Sequence, residues 1–365
     1  MINIEKEVSR CTECGVCLEV CPTYQCTGEL LFSPVHRLNT AMQIFNGEKP
    51  EPHLIESIYN CPKCMKCEAV CPENIEITDI VHKTREELVR KGFGPLSRHD
   101  SIIQGILDSG NSVGGDPLTR LDWLPEKFPD RESSTLLYMG CLPSYLVKAA
   151  AASTYLVLKK LGVDFMILEE EGCCGTYIYE AGRTDIAADF FQKNAERFKK
   201  LGIKDIIVPC NGCLKCFKYF YPKLLGEVDF TVHHAVEVIY GKLKENNSII
   251  YPIPRKITYQ DSCRLSRGEG VVEEPRELLK LCGADIKEPE NSKENASCCG
   301  AGAGIRSVYR DLSMQIASDL LNTFSADNIV SACPFCTFNL NYASTKKQLG
   351  KETEYFTSFI LKSLD

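Results

Sequence analysis

The sequence turns on a paired-cysteine motif, Cys173-Cys174-Gly175, that returns as Cys298-Cys299-Gly300. Each copy is preceded by a lead cysteine, Cys141 or Cys263, and followed by a CxxC, Cys210-x2-Cys213 or Cys333-x2-Cys336. Cys141 stands 122 residues before Cys263, Cys173 stands 125 before Cys298, and Cys210 stands 123 before Cys333. A near-constant offset over three landmarks is the mark of an internal duplication. The neighbours repeat as well: Leu136-Leu137-Tyr138-Met139 and Ile257-Thr258-Tyr259 precede the lead cysteines. Ile206-Ile207-Val208-Pro209 and Ile329-Val330-Ser331-Ala332 precede each CxxC. Packing thiols would not stay in register across ten positions, and a structural zinc takes four thiolates rather than five.

Strand and helix alternate around these landmarks. In the first copy the patterns predict strands at Thr135–Met139, Asp164–Leu168 and Asp205–Val208, and helices at Tyr145–Leu161 and Thr184–Lys200, with a further helix starting near the CxxC. The second copy predicts strands at Lys256–Tyr259 and Asn328–Ser331, and helices at Pro275–Leu281 and Tyr309–Phe324. Such alternation reads as two α/β domains with mostly parallel sheets, 134–254 and 255–365. Each cysteine group falls where a strand ends, and ligands gather at the carboxyl ends of strands in such sheets. The five cysteines of one copy are therefore expected to converge.

Residues 1–91 carry a different pattern, Cys11-x2-Cys14-x2-Cys17-x3-Cys21-Pro22 and Cys61-x2-Cys64-x2-Cys67-x3-Cys71-Pro72. This is the ligand run of bacterial ferredoxins, in which the fourth cysteine of each run crosses to the other cluster. One cubane 4Fe–4S cluster is expected on Cys11, Cys14, Cys17 and Cys71, the second on Cys61, Cys64, Cys67 and Cys21. Two zinc-type CxxC pairs would leave both CxxxCP cysteines unexplained. The insertion between the runs reads as helices at Pro34–Phe45 and Pro52–Tyr59, with another at Ile77–Lys91, so the ferredoxin is expected to be α-helical. Residues 92–133 hold six Gly and four Pro and read as a linker, or as backbone wrapped on a neighbour.

The chain has 365 residues, 21 of them cysteine, and a formal charge of −7. That balance disfavours a nucleic-acid partner, which needs clustered Lys and Arg. No signal peptide or spanning helix is evident, so a cytoplasmic setting is expected, where cysteines serve metals rather than disulfides. A 2+ cube on four thiolates carries about −2, so two cubes take the chain from −7 to about −11.

A two-cluster helical ferredoxin followed by Cys141-x31-Cys173-Cys174-Gly175-x34-Cys210-x2-Cys213 and Cys263-x34-Cys298-Cys299-Gly300-x32-Cys333-x2-Cys336 resembles the cysteine-rich (CCG) domain proteins. The arrangement is similar to the D-type component of heterodisulfide reductase, a fusion of the C- and B-type components. The resemblance implies two noncubane 4Fe–4S clusters, one on Cys141, Cys173, Cys174, Cys210 and Cys213, the other on Cys263, Cys298, Cys299, Cys333 and Cys336. It implies an iron–sulfur oxidoreductase of anaerobic methanogenesis that reduces the coenzyme M–coenzyme B disulfide, a small-molecule substrate, to two thiols. Disulfide cleavage takes two electrons while a cube passes one, so two adjacent sites, each taking one sulfur, avoid a free thiyl radical. The implied donor is a redox partner: a membrane cytochrome b, with the chain peripheral on the inner face of the membrane, or a soluble flavoprotein or hydrogenase module. The same plan also resembles the relay subunits of flavin-dependent glycolate, lactate and glycerol-3-phosphate dehydrogenases, which only forward electrons, and thiol-linked fumarate or aromatic-acyl reductase components. Two complete five-cysteine copies favour catalysis over relay.

Coenzymes M and B carry sulfonate and phosphate, so Arg264, Arg267 and Arg306 are substrate candidates, against the plainer reading of solvated surface arginines. The glycines from Gly300 to Gly304 permit close backbone approach. His233-His234 offers a proton donor or simply packed histidines. Cys26, Cys216 and Cys282 read as small buried hydrophobes, and Trp123 and Phe217 to Tyr221 as core or interface.

Overall fold

The computed structural model describes residues 3–129, 131–245 and 250–364. The N-terminal module is helical, as expected. Ser33 caps the helix Pro34–Phe45 by accepting from the His36 N–H at 3.2 Å, with Pro34 at the first helical position. Its apolar stripe, Leu38, Ala41 and Ile44, packs against Ile80, Val81 and Leu88 of the helix Ile77–Arg90. The helix Pro52–Tyr59 completes this core with Ile58 and Tyr59.

Residues 92–133 are not a free linker. They contain a helix, Ser97–Ser109, that ends at Gly110 with φ +70°, and they form a strap across the first repeat. His99, Ile103 and Ile106 are buried along it, Trp123 sits in the core edge-on to Tyr155, and Arg120 pairs with Glu171 at 2.6 Å.

Seven parallel strands follow: β1 Thr135–Leu137, β2 Asp205–Val208, β3 Thr231–His234, β4 Arg255–Gln260, β5 Ala284–Ile286, β6 Asn328–Ser331 and β7 Glu352–Tyr355. The first sheet runs β1-β2-β3, the second β5-β4-β6-β7. The strand expected at Asp164–Leu168 shrinks to one parallel bridge, Leu136 to Met166. That bridge sits beside β1 as β5 sits beside β4, so both repeats share one strand order. The expected helix Tyr145–Leu161 is broken into Cys141–Tyr145 and Lys148–Lys160. His233 and His234 belong to β3 rather than following a strand.

In each repeat the chain leaves the first strand toward one edge of the sheet and the third toward the other. This topological switch opens a crevice at the carboxyl ends of β1 and β2, and again of β4 and β6. The repeats are joined through one continuous core. Across the joint, Ser153 and Thr357 hydroxyls lie 2.7 Å apart, and the buried Tyr355 hydroxyl donates to the Pro209 carbonyl at 2.7 Å. The crevices of the two repeats consequently meet.

Candidate iron–sulfur site

All ten cysteines of the duplicated motif line one cavity of about 460 Å³. Cys141 and Cys263 open the helices after β1 and β4, and Cys210 and Cys333 cap the helices after β2 and β6. The paired cysteines reach the same space from the loops that follow Met166 and β5. The glycine that closes each pair is there for a local reason. Gly175 and Gly300 have φ of +83° and +76°, and their amides donate to the Cys173 and Cys298 thiols at 3.4 and 3.3 Å. A Cβ on Gly300 would lie 2.9 Å from the Ser313 carbonyl, and one on Gly175 2.7 Å from Phe191. Gly300→Ala is therefore expected to lose about 1–3 kcal/mol of stability from the left-handed backbone alone. A thermal melt together with iron bound per chain measures it, and an unchanged melting temperature would refute it.

Further partners hold the motif from behind. Glu171 accepts from the Met139 and Gly140 amides at 2.9 and 2.6 Å, fixing the turn into Cys141, whose thiol meets the Ser112 hydroxyl at 3.2 Å. Cys216 and Tyr221 both donate to the Cys174 carbonyl at 3.2 Å. In the second repeat Asn339 donates to the Cys299 carbonyl at 2.7 Å. Cys216 is thus a buried packing thiol with one hydrogen bond, and Cys282 is buried in the same core. Phe217 and Tyr221 are core aromatics, packed with Phe198 and Phe230.

The cavity thiols cannot all ionise unaided. Hydrogen bonds to neighbouring thiolates, and then burial, push Cys141, Cys213, Cys298 and Cys336 well above the ordinary thiol value. Ten thiolates in this space need a cationic core, and a set of five exceeds what one zinc takes. The donor set therefore fits iron–sulfur clusters.

Cysteines of the two ferredoxin runs lie together across the runs. Cys71 lines a small cavity together with Cys11, Cys14 and Cys17, walled by Leu38, Ile75 and Ile77. Cys21 lies close enough to Cys61 and Cys67 to interact electrostatically, with Cys64 beside Cys67. The buried Arg37 spans this second group, donating to the Cys21 thiol at 3.6 Å and to Thr23 and Asn60 at 2.8 and 2.7 Å. Cys14 is exposed, whereas Cys21, Cys61, Cys64 and Cys67 are buried. Cys64 also lies within hydrogen-bonding reach of Cys298. Next to it, Lys66 donates to the Ser297 hydroxyl at 3.1 Å. The second repeat is therefore the one in contact with the ferredoxin module's buried cysteines.

Two charged networks lock this junction. Arg85, fully buried, donates to the Ile58, Tyr59 and Cys61 carbonyls of the ferredoxin, to that of Glu180 in the first repeat and to that of Ala303 in the second. The Glu180 carboxylate pairs with Lys63 at 2.7 Å and with Arg264 at 2.9 Å.

The arginine candidates separate. Arg264 lines the cavity but is held by Glu180. Arg306 lines it too, buried over the Tyr342 ring at 4.4 Å, with its Nε unpartnered. Arg267 does not line it: its guanidinium is committed to the Cys64, Glu294 and Ala296 carbonyls at 2.7–2.8 Å, which corrects its expected place at a substrate. Sequence reasoning missed Arg98 and Arg310, exposed residues of the cavity wall. Among the described residues, Arg98, Arg306 and Arg310 have no carboxylate partner. The histidine pair lies elsewhere. His234 is buried and neutral, its Nε2 at 3.2 Å from the Pro209 carbonyl, and burial pushes its pKa down to about 4. His233 is half exposed beside Asp205.

A dicluster module joined to two cysteine-rich repeats defines an iron–sulfur oxidoreductase. The 4Fe-4S dicluster domain family matches residues 7–75, and the Cysteine-rich domain (CCG) family matches 135–218 and 257–341. The chain is 32% identical, over 92% of its length and 88% of the relative's, to the D-type component of dihydromethanophenazine:CoB–CoM heterodisulfide reductase from Methanosarcina mazei. It belongs to the family of these D-type heterodisulfide reductase components. It is also 27% identical to the B-type component of fumarate reductase (CoM/CoB) from Methanothermobacter marburgensis, over 94% of this chain and 70% of that one. To a probable glycolate oxidase iron-sulfur subunit of Bacillus subtilis it is 26% identical, over 95% of this chain and 91% of that one. Among the described residues no helix is long and apolar enough to cross a membrane.

Proposed function

We propose that this chain is the catalytic iron–sulfur subunit of a heterodisulfide-reductase-like complex, reducing the coenzyme M–coenzyme B disulfide or a related one to two thiols. The observation that carries the reading is that both complete five-cysteine sets open on a single cavity. A relay needs one exit for electrons, whereas a disulfide has two sulfurs to receive. In this reading Cys11, Cys14, Cys17 and Cys71 hold one cubane cluster and Cys61, Cys64, Cys67 and Cys21 the other. Each five-cysteine set holds a noncubane 4Fe–4S cluster. When bound, these groups supply single electrons and soft iron for sulfur.

The chain's own residues do the rest. Exposed Cys14 puts the first ferredoxin set where a redox partner can dock, and the Cys64–Cys298 contact makes the second repeat the nearer acceptor. The partner is a membrane cytochrome b, or a soluble flavoprotein or hydrogenase module. Arg98, Arg306 and Arg310 offer charge to an anionic disulfide in a cavity within the usual range for small ligands, about 300–1,000 Å³.

The test is anaerobic. The purified, cluster-loaded chain is given reduced viologen dye and the coenzyme disulfide, and thiol formation is followed. Turnover is expected; loaded clusters without turnover would move the chain to the relay class.

A further inference from the structure

One polar pair on the cavity wall belongs to neither the thiols nor the arginines. Tyr177, on the short helix Thr176–Glu180, and Ser307 both line the cavity, with the Ser307 side chain close enough to act on Tyr177. Behind them stands His99 of the strap, 1% exposed, with Nδ1 2.8 Å from the Tyr177 hydroxyl. Its ring is fixed by Tyr59, 5.1 Å away, and by Gly304, where a Cβ would lie 2.5 Å from the ring.

The hydrogen bonds have a direction. His99 Nε2 is buried without a partner. An unpartnered buried N–H costs more than an unpartnered lone pair, so the ring proton sits on Nδ1 and is donated to the Tyr177 oxygen. Ser307 can donate to the same oxygen. With the Nδ1–H on its oxygen, Tyr177 has its own O–H left to point into the cavity it lines. Donors onto a hydroxyl polarise its O–H and strengthen the bond it gives. Burial, with Arg85 nearby, pushes the His99 pKa down to about 3, so it stays a neutral donor. Burial pushes Tyr177 up to about 12 despite Ser307, Arg85 and Arg98, so it keeps its proton.

We propose that Tyr177 is a catalytic residue that donates a hydrogen bond to a substrate sulfur as negative charge builds on it, with His99 and Ser307 as positioning residues. The inference rests on the disulfide-reductase reading above. It is the sulfur counterpart of an oxyanion hole: a fixed donor aimed at developing charge, with no bond made or broken at the tyrosine.

The test uses the loaded full chain, reduced viologen and the coenzyme disulfide. Tyr177→Phe, with iron content and cluster spectra like wild type, is expected to lower kcat by roughly 100-fold, the scale of one lost oxyanion donor, with little change in KM. Its pH profile should keep the wild-type shape, because the proton is not transferred. His99→Leu should lower kcat in the same way. His99→Asn should restore most of it, because its amide N–H can stand where Nδ1–H stood. If Tyr177→Phe fails to load iron, Ser307→Ala carries the test through a severalfold fall in kcat. Wild-type kcat in Tyr177→Phe, or in Ser307→Ala where that replaces it, overturns the inference while leaving the reductase reading intact. A wild-type chain that consumes no disulfide overturns that reading, and this inference with it.

Discussion

Cys298→Ala should abolish disulfide reduction while the N-terminal clusters remain reducible. Cys298 stands at the one point where the two halves of the proposed electron path touch. It lies within hydrogen-bonding reach of Cys64 in the ferredoxin module and of Cys263 and Cys299 in its own set, and the Gly300 amide at 3.3 Å orients it. Alanine removes one thiolate of five and opens the contact to Cys64. Losing an outer partner of a metal site costs about 10–100-fold, so losing a ligand should exceed the upper end of that range. Cys173→Ala should be equally inactive, because each sulfur needs its own site, but for a different spectroscopic reason. In Cys173→Ala the second repeat should still accept electrons through Cys64, whereas in Cys298→Ala reduction should stop at the ferredoxin clusters. Paramagnetic resonance of dye-reduced samples, taken beside the thiol assay, separates the two variants. Retention of activity within tenfold of wild type by either one would sink the two-site reading.

The cysteine groups that the structure brings together were legible in the sequence because cluster chemistry constrains spacing along the chain. The glycine of each CCG was legible for a local reason, because the left-handed backbone after the pair leaves little choice of residue. The helix Pro34–Phe45 was legible from its Ser33 cap and apolar stripe, and Thr184–Lys200 from its stripe alone. Features made by distant contacts were not. The strap helix Ser97–Ser109 was hidden by five flanking glycines, by Gly105 within it, and by a stripe whose first member is a histidine. The strand near Met166 failed because sheet pairing there is reduced to one bridge, whatever its β-branched and aromatic content suggested. Arg267 was misplaced because proximity to Cys263 does not say which direction a side chain takes. Arg264, about 100° around the helix from Cys263, reaches the cavity, while Arg267 runs toward Cys64 and caps carbonyls there. His99 and Tyr177 are 78 residues apart, and no local pattern joins them.

The largest expected loss of stability belongs to Glu180→Gln. The Glu180 carboxylate is almost fully buried and is the shared partner of Lys63, between Cys61 and Cys64, and Arg264, beside the lead cysteine of the second repeat. Burial acts to raise its pKa, but Lys63, and after it Arg264 and Lys215, hold the carboxyl well below the usual carboxylate range. Glutamine keeps the shape and removes the charge. Two cations are then buried without their partner, which for a broken buried pair costs about 3–5 kcal/mol. The pH dependence follows from the depressed folded-state value. Such a carboxylate stabilises the fold fully above its unfolded pKa, near 4.5, and the contribution fades as pH falls toward the folded value. The gap between wild type and Glu180→Gln should accordingly close as pH falls below about 4.5. Urea unfolding followed by Trp123, the single tryptophan and a buried one, reads the gap directly. Removing a cation as well should recover part of the loss, since an apolar replacement of a whole buried pair is often nearly neutral. Lys63→Met combined with Glu180→Gln should therefore be more stable than Glu180→Gln alone. If the double variant is instead less stable, Lys63 is held by something other than Glu180, and the triad is not what locks the ferredoxin module to the two repeats.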